Sequence, residues 1–213
     1  MDGFLQHFPE GFKDSRYLKM EREYKWHAHT KYAETLGDGK GESLLAAGRL
    51  DEVVQHILSA ERAVNLLSPY EKSAFADGLK NPQAAHEYAA ALFGVLAAPD
   101  RDQTVFERFI KAVTNLPAEE GRARVATWPV LTILPFLAQP ERFMFLKPEV
   151  TQKAADRLLW NLNYTSKPNW LTYTRLLKMS QVLMTMLQPL GVRDLIDVQS
   201  FIWVTGHYGP AKS

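Results

Sequence analysis

The sequence predicts an all-α or nearly all-α fold in one domain. Three observations carry that expectation. Apolar side chains recur at helical spacing along most of the 213 residues. Several of these stretches open on a capping residue followed by proline, as helix N-termini do. No self-similarity at a period of 20 to 50 residues points to a solenoid, and the length suits a single core. With 46% hydrophobic and 23% charged residues the chain has enough apolar surface to offset its conformational entropy.

The elements follow in order. Residues 14–36 form a long helix candidate, with Asp14 or Ser15 as cap and Gly37 as stop, and the first 37 residues pack on the body as one long element. Over 50–67, Leu50, Val53, Val54, Ile57, Leu58, Ala60 and Val64 share one stripe, and the turn at Pro69 ends it. A short helix follows with Pro69 in its first turn. The same grammar returns at Asn81-Pro82, and residues 100–116 carry Val105, Phe106, Phe109, Ile110 and Val113 on one face, with acids in the first turn and Lys111 in the last. Residues 123–148 contain four prolines and apolar residues on every face, so periodicity does not separate helix from strand there; a helix starting near Thr127-Trp128-Pro129, a turn at Gln139-Pro140 and an extended segment over 142–147 are expected. Helices over 148–162, 169–191 (Asn169 cap, Gly191 stop) and 192–206 complete the domain, with a frayed tail over 207–213.

Several classes are set aside. Without cysteine there is no disulfide framework, thiolate chemistry or cysteine-based zinc site, which fits a reducing cytoplasm. The N-terminus lacks the basic and apolar regions of a signal peptide, and the longest apolar runs are half the ~20 residues needed to span a bilayer, so no membrane association and a cytoplasmic location are expected. No Walker, Rossmann, kinase, H-E-x-x-H or G-x-S-x-G signature occurs, and no cofactor or metal is implied. His27 and His29 point about 200° apart on a helix at 100° per residue, which makes them poor co-ligands.

Charge is uneven. Residues 38–120 sum to −5, whereas residues 121–213 hold eleven basic and five acidic side chains, a sum of +6. Such asymmetry suggests an anionic partner, although the two segments can also attract each other. Lys147 stands directly before Pro148; if Pro148 opens a helix, its free amides and the ammonium, with Arg142 beside them, make an anion site. The plainer alternative is a lysine at a tight turn whose stem covers Phe145. Asp194 and Asp197 share a helix face, so Asp197 is the candidate catalytic acid, paired with Arg175, Lys147 or Arg193, or else Asp194 caps the helix and Asp197 faces its free amides. Lys167, Trp170, Tyr173, Arg175 and Lys178 mix rings and cations as sites for single strands or extruded bases do, although Trp170, Tyr173 and Leu177 also fit a core stripe.

The blocks MFLKP (144–148), NWLTY (169–173) and DLIDVQSFIW (194–203) resemble blocks near the C-terminus of a set of bacterial proteins of unassigned function. The resemblance covers about the last third of the chain; it implies a shared architecture there and no activity for any residue. Two functions are therefore expected: a nucleic-acid-associated protein, extending to DNA processing, that holds phosphate on its basic C-terminal third, or a non-enzymatic helical module that binds a protein partner or itself.

Overall fold

The computed structural model describes residues 1–99, 102–118 and 125–208, and among these it contains eleven helices longer than a single turn and no strand. Arg122, Arg124 and Lys212 of the basic third, and residues 209–213 of the expected frayed tail, lie outside the described residues. No described helix is long and apolar enough to cross a membrane.

The chain opens with a short helix the periodicity did not indicate, α1 (Asp2–His7), followed by a 3-10 turn (Gly11–Lys13). The long helix α2 covers residues 15–36 in three consecutive segments: α-helical Ser15–Tyr17, π-helical Leu18–Arg22 and α-helical Glu23–Leu36. Asp14 caps it, accepting from the amides of Arg16 (2.9 Å) and Tyr17 (3.4 Å). The π turn is marked by the Glu23 amide reaching back to the carbonyl of Leu18, one residue further than in an α-helix. The N-terminal segment is thus two helices and a turn, with the long helix confined to the second half.

Next come α3 (Lys40–Ala46), also unanticipated, α4 (Leu50–Arg62), α5 (Pro69–Gly78), α6 (Pro82–Ala97) and α7 (Gln103–Thr114). The proline-opened helices have the expected caps: Ser68 and Glu71 form a reciprocal capping box, and Asn81 accepts from the amide of Ala84 at 3.0 Å. The helix predicted over 50–67 stops five residues early. Its apolar pattern continues because Val64, Leu66 and Leu67 remain buried in a turn, and lysines from elsewhere, Lys72 and Lys147, take the carbonyls of Val64 and Leu66. Periodicity reports burial, and here burial outlasts the helix.

The proline-rich stretch resolves as α8 (Trp128–Ala138), with Pro129 in the first turn and Pro135 inside. Every residue from Trp128 to Leu137 is buried, so α8 is the central helix, and α2, α4, α5, α6 and α7 pack around it. Residues 143–147 then run through the interior as a segment with neither helix nor strand pairing. Its polar groups are met by side chains: Thr132 Oγ1 accepts from the Leu146 amide (3.0 Å), and the Tyr173 hydroxyl sits 3.3 Å from both the amide and the carbonyl of Met144.

Three helices finish the domain: α9 (Pro148–Arg157), α10 (Trp170–Met186) and α11 (Leu195–His207). α9 ends earlier than predicted, closed by the Trp160 amide on the Ala155 carbonyl (2.8 Å) with Leu159 in the left-handed region (φ 51). A leucine where glycine is usual carries no stop signal in sequence. α11 packs on α1, α9, α10 and the π turn of α2, so the last described helix lies against residues 2–7 and 18–22.

Candidate functional site

Where α11 meets the π turn, charge is buried on a large scale. Asp197 is 0% exposed, and three side chains close over it. The Tyr17 hydroxyl donates to Oδ1 (2.5 Å), Arg22 Nη1 donates to Oδ1 (2.8 Å), and Arg193 donates to Oδ2 from its main-chain amide and Nε, both at 2.9 Å. Arg22 also spans to Asp194, with Nη1 and Nη2 at 2.9 and 2.7 Å from its two oxygens, while its guanidinium stacks over the ring of Trp26. Asp194 in turn caps α11 through the amides of Ile196 and Asp197. Burial, then Asp197, push the Tyr17 hydroxyl far above its ordinary range, so it stays a donor.

One turn further along, Lys25 is also 0% exposed; its ammonium donates to Glu21 Oε2 (3.1 Å) and Ser200 Oγ (2.8 Å), and the Tyr208 hydroxyl donates to Glu21 Oε1 (2.5 Å). Desolvation outweighs Glu21 and lowers the Lys25 pKa to about 8. The π turn explains how one helix supplies all these groups. Its wider turn swings Glu21 and Arg22 toward α11, where Glu21, Arg22 and Lys25 line up on Asp194, Asp197 and Ser200.

Beside this network lies a cavity of about 340 Å³. Tyr24, Phe145 and Trp203 supply aromatic walls, Met20 stands at its edge with half its surface exposed, and Lys25 backs it. Two groups in it have unused hydrogen-bonding capacity. Gln199 is 3% exposed and its Oε1 has no partner among the described residues. Lys147, half-buried, gives one proton to the Leu66 carbonyl (3.0 Å), and an ammonium has three. Phe145 and Lys147 come from the MFLKP block, Gln199 and Trp203 from the DLIDVQSFIW block.

The residues singled out from sequence scatter. Arg142 docks on the end of α6, donating to the carbonyls of Leu96 (3.0 Å) and Ala98 (2.6 Å) and to Gln139 Oε1 (2.6 Å). Lys147 turns away from the start of α9 toward Leu66, and Arg175 lies exposed on α10. Of the expected partners of Asp197, Arg193 is present, and Arg175 and Lys147 are not; Arg22 and Tyr17 stand in their place. Tyr173 is buried, stacked on Phe106 at 4.4 Å, and Trp170 packs on the same ring at 5.4 Å, so both serve as core aromatics. Among the described basic residues after 121, Arg142, Lys147 and Arg157 donate to main-chain carbonyls, Lys153 pairs with Glu149, and Arg193 pairs with Asp197. Lys167, Arg175 and Lys178 are left facing solvent. No group of three or more metal-binding side chains occurs among the described residues.

Sequence reasoning missed Arg22, Lys25 and Gln199. In sequence the first two are ordinary charges on a helix that also carries many others, and only the extra residue of the π turn rotates them inward. For Gln199 the available signal is a polar residue set among Leu195, Ile196, Val198, Phe201, Ile202 and Trp203. Comparison of the chain with protein-family models, with curated proteins and with solved structures found no match.

Proposed function

We propose that this chain is a nucleic-acid-associated protein that takes one unstacked nucleotide into the cavity between α2, the turn before α5, residues 143–147 and α11. The carrying observation is the Gln199 carbonyl oxygen, buried without a partner among the described residues on a side chain that lines a cavity with aromatic walls and a lysine beside it. An unmet buried acceptor costs stability, and a ligand N–H restores the lost hydrogen bond. A nucleotide offers that donor on the edge of its base, a flat face for Trp203 or Tyr24, and a phosphate for the two remaining protons of Lys147. Exposed Lys167, Arg175 and Lys178 add a positive surface for further phosphates.

Fluorescence anisotropy with single-stranded and duplex DNA and RNA, from low to physiological salt, tests this. Single strands are expected to bind more tightly than duplexes, with affinity falling as salt rises and about tenfold weaker in Lys147→Met or Gln199→Leu. Absence of binding to every oligonucleotide at low salt sinks the proposal.

A second role, as a helical interaction module, is favoured by Leu159, which is 95% exposed in a left-handed conformation, and by Leu171, Val182 and Met186, exposed at 52, 40 and 44% along α10. Sedimentation over a hundredfold range of concentration checks it; a constant monomer mass with and without added oligonucleotide removes self-association.

A further inference from the structure

A second cavity, of about 460 Å³, lies at the other end of α2 and has the opposite chemistry. Its rim carries three carboxylates, Asp38, Glu42 and Glu141, none of which has a hydrogen bond or ion pair to a described residue. Its wall holds Tyr32, 2% exposed, whose hydroxyl has no partner among the described residues; burial, then Glu42, raise its pKa, so the hydroxyl faces the field of that acid and stays protonated. His29 donates from Nδ1 to the Leu137 carbonyl (2.7 Å), which leaves Nε2 as an acceptor in the neutral ring. Phe93 forms an apolar floor, held close by Gly41: a β-carbon there would come within 2.4 Å of its ring.

The backbone adds to this sign. α2, α6 and α8 all end at the cavity, through Leu36, Ala97 and Ala138, and helix C-termini carry negative partial charge. Two of the chain's own cations already sit nearby: Arg142 holds the Leu96 and Ala98 carbonyls, and exposed Lys40 holds the Glu34 carbonyl at 2.9 Å. Both are engaged with main chain, and neither pairs with the three acids. The short α3 presents its N-terminus here too, and Glu42 in its first turn faces that end. The remaining balance is acidic, over an apolar floor, with an unmet buried hydroxyl.

From this juxtaposition we propose that the cavity binds an organic cation, an ammonium or guanidinium group on an apolar stem, with the charge among Asp38, Glu42 and Glu141, one N–H on the Tyr32 oxygen, and the stem on Phe93. The cation can arrive as a free amine or as a lysine or arginine side chain of another polypeptide; the chemistry recognised is the same.

Titration of the full chain by heteronuclear NMR with n-butylammonium, n-butanol and a capped Gly-Gly-Lys-Gly-Gly peptide tests the site and separates the sources. Butylammonium, the peptide or both are expected to shift the amides of residues 29–42 and to bind at least about tenfold more tightly than butanol, the discrimination a charge-assisted hydrogen bond gives. Glu42→Gln with Glu141→Gln is expected to remove that preference at an unchanged melting temperature. Tyr32→Phe is expected to weaken the amine about fivefold while leaving the melting temperature equal or higher, because it deletes an unmet hydroxyl and no contact. Butanol binding as well as butylammonium, amine binding that survives the double Gln substitution, or no shift with either amine overturns the proposal.

Discussion

At its N-terminal half α2 buries full charges and every one of them has a partner; at its C-terminal end it buries one neutral hydroxyl that has none. Glu21, Arg22 and Lys25 are each matched by groups on α11 or by Tyr208, with three charge-assisted bonds from Arg22 and five to Asp197. Around Tyr32 the acids Asp38, Glu42 and Glu141 stand at the surface without counter-ions among the described residues. Buried ionic groups that are mutually satisfied fix the geometry of two packed helices, and removing one partner leaves an uncompensated charge. Unmet polar atoms of residues that line a cavity, such as Gln199 Oε1 and Tyr32 Oη, are the atoms a bound molecule would complete.

The contrast can be broken most forcefully at Asp197. Asp197→Ala strips Tyr17 of its acceptor, leaves Arg193 with the Phe12 carbonyl and Arg22 with Asp194; a loss of about 4 kcal/mol in denaturant unfolding is expected. A loss below about 1 kcal/mol would mean that the network does not hold α2 to α11. Next in size, Lys25→Met leaves Glu21 with only the Tyr208 hydroxyl and is expected to cost about 3 kcal/mol, most of it recovered in the Lys25→Met, Glu21→Gln double variant. Additive losses in the double-mutant cycle would show that the pair does not act as one unit.

pH sharpens the comparison further. Folded Lys25 holds its proton less tightly than an unfolded lysine, so from about pH 8 up to the ordinary lysine range the unfolded chain binds more protons, and stability should rise with pH. Tyr17, Tyr24, Tyr32, Tyr88 and Tyr208 are pushed upward, chiefly by burial, so above the ordinary tyrosine range the folded chain keeps protons that the unfolded one releases, and stability should fall. Thermal unfolding between pH 7 and 11 is expected to pass through a maximum, and the Lys25→Met, Glu21→Gln variant should lose the rising limb. The smallest change belongs to the unsatisfied end: Tyr32→Phe should leave stability unchanged or raise it by up to about 1 kcal/mol, and a loss above that would reveal a partner for the hydroxyl. At the exposed end of α9, Leu159→Gly should likewise add about 1 kcal/mol by relieving the left-handed leucine, at no loss of buried contacts.

The helical class, most of the helix starts and the burial of the proline-rich stretch were legible in the sequence; its place at the centre was not. Those follow from local chemistry: a cap such as Asn81 or Asn169 acts on amides three residues away, and a stretch apolar on all sides has to be buried wherever the chain goes. Element ends were less legible, since Val64 stays buried beyond α4, and Leu159 supplies a left-handed stop with no glycine to announce it. The partners of the charges follow from the packing of the helices alone. Arg22 and Asp197 are 175 positions apart, Lys147 and Leu66 are 81 apart, and a π turn of five residues rotates Glu21 and Arg22 inward. A charge carries no label for the segment that will neutralise it, because Coulomb attraction depends on distance in space, and that distance is set by how the apolar faces pack.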